Sequence, residues 1–225
     1  MNEQRQQKRV LLSEVESKKL LEKAGIPVID TRLARTKKEA ASLSRELGFP
    51  VVLKIVSPDV AHKSDVGGVK IGLSSTAQVL RAYTEIVSGV RKMVPEARIE
   101  GVSVQKMARP GVEIIIGMSE DAQFGPVIMF GLGGTWVEVL KDVSFRVTPV
   151  TDWDAAEMVR EIRGFALLQG YRGQEPVDVS FLEKLITKVS DFIENNPQVR
   201  ELDINPLIAY GDGAIAVDAR MYIES

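Results

Sequence analysis

Two lobes fit within 225 residues that are 44% hydrophobic, and no apolar run approaches the roughly 18 residues of a membrane span. Charge is balanced, 29 basic against 31 acidic residues for a net −2, with no basic block, which argues against nucleic acid as a partner. The absence of cysteine excludes disulfides, zinc–thiolate sites and thiol chemistry. A single histidine, His62, excludes a zinc site built from several imidazoles and, unless His62 is its base, a Ser-His-Asp hydrolase. Any bound metal is therefore expected to be hard and oxygen-ligated, as Mg²⁺ is.

The opening MNEQRQQKRV has no apolar segment after its charges. It reads as a frayed polar lead-in and not as a secretory signal, so a cytoplasmic location without membrane contact is expected. LSEVESKKLLEKAGIPV predicts a helix, with Ser13 and Glu16 as a capping box and Gly25 with Pro27 as its stop. TKKEAASLSRELGFP repeats the design: Thr36 and Glu39 cap it, Ala40, Leu43 and Leu47 share a face, and Gly48 ends it. VVLKIV is a buried strand, separated by the loop SPDVAHKSDVGG from a second strand, VKIGLS. A third helix is expected from Ser75 to about Val94, with Leu80, Tyr83, Val87 and Val90 on one face. GVSVQKM, GVEIIIGM and PVIMF read as short strands between Gly/Pro turns, the last closed by GLGG. Helices follow over roughly 154–168 and 179–194, the second with Leu182, Leu185, Ile186, Val189 and Ile193 inward. RELDINPLIAY, GDG and AIAVDARMYI form a closing β-hairpin. Early alternation of helix and strand, followed by clustered antiparallel strands, predicts an α+β (α/β) protein in two lobes.

Several residues are out of place in these elements. Lys54 lies within an apolar strand, where lysine needs a partner: it is either an edge-strand cation reaching water or a cation held for an anion such as phosphate. His62 sits in a polar loop, where a lone histidine is usually a surface residue. Gly67 and Gly68 would let backbone amides approach a phosphate, although paired glycines also serve ordinary hairpins. Glu113 stands among isoleucines, placed either for a surface lysine or for a ligand hydroxyl or cation. Arg146 in VSFRVTP is equally a phosphate contact or a surface strand arginine. GLGG is not followed by a helical pattern, so neither a Rossmann nor a Walker loop is expected. In the closing hairpin a two-residue loop at Gly211-Asp212, glycine first as in a type II′ turn, pairs residue 210 with 213 and therefore 205 with 218. Asn205 and Asp218 would then present two oxygens to one point, a set that suits Mg²⁺ sharing its remaining positions with water and phosphate.

The order of these features resembles the ATP-grasp fold. More closely, the chain from about Leu12 onward is similar to the β subunit of ADP-forming acetate–CoA ligase, a relative of succinate–CoA ligase. The motifs that carry the likeness are GFPVVLKIVSPDVAHKSDVGGVKIGL, GVEIIIGM with FGPVIMFGLGG, SFRVTPV, and ELDINPLI with AVDAR. The resemblance implies a helix over 1–24 packed on the second lobe, a small lobe over 25–103, and a second lobe over 104–225 that ends in a metal-binding hairpin, with a nucleotide cleft between the lobes. It implies that Lys54 meets nucleotide phosphates, that Gly67 and Gly68 cover them, and that Gln105, Lys106 and Met107 form the strand that meets adenine. It further implies that Glu113 holds the ribose and that Asn205 and Asp218 ligate Mg²⁺ beside ADP or ATP. The implied reaction is acyl-CoA + ADP + phosphate ⇌ acid + CoA + ATP, relayed through a phosphohistidine on a separate α subunit, with His62 next in the relay and Arg146 assisting. No CoA-binding domain and no second histidine are evident, so an α subunit is required, most simply as α2β2. A nucleotide-sensing or interaction module without its own turnover is the other reading that these residues leave open.

Overall fold

The computed structural model describes residues 9–60, 62–134 and 141–224. The chain opens with β1 (Arg9–Leu12) and α1 (Glu14–Lys23). It continues through β2 (Thr31–Ala34), α2 (Lys37–Leu47), β3 (Val51–Val56), β4 (Val69–Leu73), α3 (Thr76–Met93) and β5 (Gly101–Lys106). Then come β6 (Val112–Asp121), β7 (Gly125–Leu132), β8 (Val143–Val147), α4 (Asp152–Glu161), α5 (Phe165–Leu168) and α6 (Val179–Glu194). It closes with β9 (Val199–Tyr210), β10 (Gly213–Ala216) and β11 (Ala219–Glu224).

These elements form two compact units: Ser13–Glu16 with Ile29–Arg109, and residues up to Leu12 with Ser17–Val28 and Pro110 onward. The division falls after residues 28 and 109 rather than after the expected 24 and 103, and it runs through α1. Every strand ladder is antiparallel, which makes the fold α+β. No helix among the described residues is long and apolar enough to cross a membrane.

The smaller unit carries a four-stranded sheet in the order β2-β5-β3-β4. Its core joins Val51, Leu53 and Ile55 to Val102 and Val104, and to Val79, Ala82, Ile86 and Val90 of α3. The buried stripe of α3 is therefore rotated by about one position from the expected Leu80, Tyr83 and Val87, of which Tyr83 and Val87 pack only partly buried at its margin. The larger unit is a seven-stranded sheet in the order β1-β11-β9-β6-β7-β8, with β10 also on β9. One face is covered: Ile114, Ile116, Met118, Ile128, Phe130, Leu202, Ile204 and Leu207 share a core with α4 and α6. All five inward positions expected of α6 are buried.

Local chemistry accounts for the element ends. The Ser13–Glu16 capping box forms, with Glu16 Oε2 accepting from the Ser13 amide at 2.9 Å and Ser13 Oγ accepting from the Glu16 amide at 3.3 Å. Thr151 and Asp154 make another at the start of α4. The single helix expected over 154–168 is broken in two, because Asp142 accepts from the amides of Arg163 and Gly164, each at 2.7 Å. A side chain at Gly164 would also stand 2.2 Å from Leu132 Cδ1. The supposed lead-in is ordered from residue 9: β1 pairs Arg9 through Leu12 with Glu224 through Met221.

Candidate functional site

In the smaller unit, Lys54 occupies a central strand and not an edge. It stands opposite Ser103 of β5 and Val69 of β4, and only 7% of its side chain is exposed. Burial demands a counter-charge, and Glu14 supplies it. Glu14 Oε1 accepts from Lys54 Nζ at 2.8 Å, and Glu14 Oε2 accepts from Lys63 Nζ at 2.6 Å. The glutamate is 2% exposed and Lys63 22%. Lys54 is thus a buried cation as expected, but in this state its anion is a carboxylate of the chain itself.

His62 is exposed in the loop between β3 and β4, directly before Lys63. The loop is tied down around it. Asp59 accepts from the Arg98 amide at 2.8 Å and from its guanidinium at 3.1 and 3.0 Å, and Val60 is buried. The amides of Gly67 and Gly68 donate to Ser64 O at 3.0 Å and Lys63 O at 2.7 Å. A Cβ on Gly68 would lie 2.6 Å from Ile55 Cγ2 and 2.7 Å from Lys63 O. These glycines are required by the turn, and their amides are committed to it rather than offered to a phosphate.

Gln105 is fully buried, paired with Thr31 on one side and Val52 on the other, and its Oε1 accepts from Thr31 Oγ1 at 3.2 Å. Lys106 and Met107 are exposed at the strand end. The Met107 amide donates to Pro50 O at 3.0 Å. Strand alternation therefore turns the Lys106 amide and carbonyl away from β3, past the end of β2, which begins opposite Gln105.

In the larger unit, the sheet face opposite α4 and α6 is polar where β6, β9 and the β10/β11 break meet. The hairpin register is the expected one: Tyr210 pairs with Gly213, Leu207 with Ala216, and Ile204 with Ala219. The Asn205 amide donates to Asp218 O at 3.2 Å, so residues 205 and 218 stand opposite each other. The turn differs, because the positive φ falls on Gly213 (134°) and not on Gly211. Asp203 shares the Asn205 face, opposite Gly117 and Arg220. Burial, then the charge of Asp218, push its carboxyl up to about 6 against the opposing pull of Arg220. Arg220 stacks on the Tyr222 ring at 4.8 Å, and its Nε is buried without a hydrogen-bond partner among the described residues. Behind Asp218, Lys18 of α1 is 2% exposed and donates from Nζ to Val217 O at 2.6 Å.

Glu113 pairs with Ile208 on this same outer face. It is exposed rather than embedded, and its carboxylate has no hydrogen bond among the described residues. The GLGG segment folds back on it: Gly133 donates to Glu113 O at 2.7 Å, and a Cβ on Gly134 would meet Glu113 Oε2 at 2.8 Å. Arg146 is elsewhere. It stands opposite the fully buried Ile128, hence on the helix-covered face, where Glu161 and Glu157 of α4 hold it at 2.9 and 3.5 Å. The structure does not bring it to the Glu113 face.

The chain matches the ATP-grasp domain family over residues 3–223. It is 49% identical over 212 residues to the I subunit β of ADP-forming acetate–CoA ligase from Pyrococcus furiosus, covering 94% of this chain and 91% of that one. The chain belongs to the ATP-grasp family, among the β subunits of ADP-forming acetate–CoA ligases. Against ADP-forming acetate–CoA ligase I of Archaeoglobus fulgidus it is 48% identical, but covers only 30% of that longer protein. A solved structure of acetyl-coenzyme A synthetase 1 from Ca. Korarchaeum cryptofilum, in complex with coenzyme A, Ca-AMPCP and HgCl+, superposes with a TM-score of 0.93. It is 50% identical, with 96% of this chain and 94% of that one covered. A second structure of that enzyme holds coenzyme A and Mg-AMPPCP, with its phosphohistidine segment pointing towards the nucleotide binding site. Its TM-score is 0.83 at 46% identity, with 95% and 93% covered.

Within this ATP-grasp β chain, Asn205, Asp218 and Glu113 share a sheet face, while Lys54, His62, Gln105, Lys106 and Met107 lie in the smaller unit. Four charged residues lie outside the expected site residues. Glu14 and Lys18 lie in a helix whose caps are its plainest signal, yet Glu14, Ser17, Lys18 and Leu21 form one stripe at i, i+3, i+4 and i+7 that is buried throughout. Lys63 is hidden in the loop beside His62. Asp203 was readable, being two residues from Asn205 on the same alternating face.

Proposed function

We propose that this chain is the nucleotide-binding β subunit of an ADP-forming acyl-CoA ligase that converts acyl-CoA, ADP and phosphate to acid, CoA and ATP. A separate α subunit would carry the CoA-binding domain and the first phosphohistidine, in an α2β2 assembly in the cytoplasm. The observation that carries the nucleotide assignment is the opposition of Asn205 and Asp218 beside Asp203. These are hard oxygen donors. That set fits a Mg²⁺ whose other ligands are phosphate oxygens and water. When bound, Mg²⁺ would neutralise charge on both the polyphosphate and the aspartates.

The remaining roles follow from position. The outward backbone groups of Lys106 would hydrogen-bond adenine, with Met107 against its ring, and the free Glu113 carboxylate would accept from ribose hydroxyls. Lys54, with Lys63, would meet the phosphates. His62, as neutral imidazole, would attack phosphorus on the α-subunit phosphohistidine: one P–N bond breaks as another forms. The phosphoryl group then leaves His62 for an ADP β-phosphate oxygen, forming P–O as P–N breaks. This is a positioning problem, which suits a loop anchored on both sides of the histidine. Arg146, Gly67 and Gly68 take no part beyond structure.

Thermal unfolding with Mg·ADP against EDTA tests the assignment. Nucleotide at about one hundred times its Kd should stabilise the wild type by about 2.7 kcal/mol, and Asp218→Ala should abolish the shift. Absence of any shift in the wild type would overturn the proposal and favour an interaction module.

A further inference from the structure

We infer that Glu14 is a positioning residue for phosphoryl transfer, setting both Lys54 and, through Lys63, the loop that carries His62. The inference rests on the roles proposed above for Lys54 and His62. Glu14 is the first residue of α1 and belongs with the smaller unit. Its two oxygens are divided between two lysines of different origin. Oε1 takes Lys54 from the middle of β3, and Oε2 takes Lys63 from the loop beyond it. One carboxylate therefore cross-links the strand to the loop.

The geometry around His62 makes that link matter. On one side Val60 is buried and Asp59 is fixed by Arg98. On the other side the next residue is Lys63, whose carbonyl accepts from Gly68 while its ammonium is held by Glu14. The Glu14 bond is the side-chain anchor nearest to the imidazole in sequence. A carboxylate needed only to make Lys54 tolerable in a strand would require a single lysine partner. The second oxygen goes to Lys63, which is 22% exposed and does not need it for burial.

The convergence points the same way. Two ammonium groups meet one carboxylate in a cluster whose centre is almost dry. Glu14 keeps both ammonium groups together where a phosphate would meet them. Glu14 also competes with phosphate for them. Removing its charge should therefore leave nucleotide affinity unchanged or raise it, while the histidine and lysines lose their placement. A misplacement of about 1 Å at a reacting centre costs on the order of a hundredfold in rate.

The test uses the enzyme assembled with its α subunit and follows acyl-CoA-dependent ATP formation, Mg·ADP binding and thermal midpoint. For Glu14→Gln we expect kcat to fall by about a hundredfold with ADP affinity equal to or tighter than wild type. Lys63→Gln, which keeps the Glu14–Lys54 pair, should lower kcat similarly with a near-native midpoint, and should weaken Mg·ADP binding because one phosphate-facing ammonium is lost. Glu14→Asp, too short to reach both lysines, should not rescue the rate. Equal kcat in wild type and Lys63→Gln would overturn the inference, and so would kcat, affinity and midpoint falling in parallel in Glu14→Gln. If Glu14→Gln does not fold, Lys63→Gln decides alone. His62→Ala separates the two levels: if it turns over normally, the relay reading fails. If it is silent while Lys63→Gln is normal, only the role of Glu14 fails.

Discussion

Replacing Asp203 by asparagine should stabilise the metal-free protein at neutral pH and leave it unchanged in acid. Asp203 is half-buried on the outer face of β9, near Asp218 and Glu201, with Arg220 opposite, and its carboxyl is raised from 3.8 to about 6. A carboxyl raised in the native state favours folding when protonated, so its contribution declines as pH climbs from about 4 through about 6 and is fully unfavourable above that. The difference between 3.8 and about 6, at 1.36 kcal/mol per pH unit, amounts to about 3 kcal/mol. The substituted carboxamide has nothing to ionise. Urea unfolding in EDTA should therefore give matching stabilities for D203N and wild type near pH 4, with the variant ahead by up to about 3 kcal/mol at pH 7.5. Mg²⁺ should narrow the gap, because a cation held by these residues would offset the repulsion between the aspartates. Parallel curves across the whole pH range would refute the reasoning.

Three further outcomes are expected. Glu113→Gln should change stability by no more than about 0.5 kcal/mol, since the side chain is exposed and unbonded, yet weaken Mg·ADP binding roughly tenfold in calorimetry. Gly68→Ala should cost about 1–3 kcal/mol in chemical unfolding, because its Cβ would press on Ile55 and on a backbone oxygen that cannot swing away. Lys18→Met removes a buried charged donor to the Val217 carbonyl, at a cost of about 1–3 kcal/mol. It should also shrink the Mg²⁺-dependent thermal shift, because Asp218 is the next residue.

What was legible in the sequence was what local rules govern. The Ser13–Glu16 box, the inward stripe of α6 and the 210/213 pairing of the last hairpin depend on spacing within a few residues, and the structure has them. What local patterns left open depended on contacts distant in sequence. Arg146 looked like a phosphate contact because one strand cannot reveal which face a helix will cover, and opposite Ile128 that face belongs to α4. Gly67 and Gly68 looked like phosphate amides until the loop closed on Lys63 and Ser64. Glu14 looked like an ordinary first-turn acid, because its partners lie forty and forty-nine residues away. The four-residue strands β1 and β2 were too short to show a period, and pairing with β11 and β5 is what defines them.

The central claim is that His62 receives the phosphoryl group beside a Mg-bound nucleotide. The assembled enzyme, quenched in alkali during turnover with acyl-CoA, phosphate and Mg·ADP, should yield an acid-labile phosphate on the peptide containing His62. His62→Ala should lose that label and ATP formation together while still binding Mg·ADP. ATP formation at the wild-type rate by His62→Ala would contradict the account.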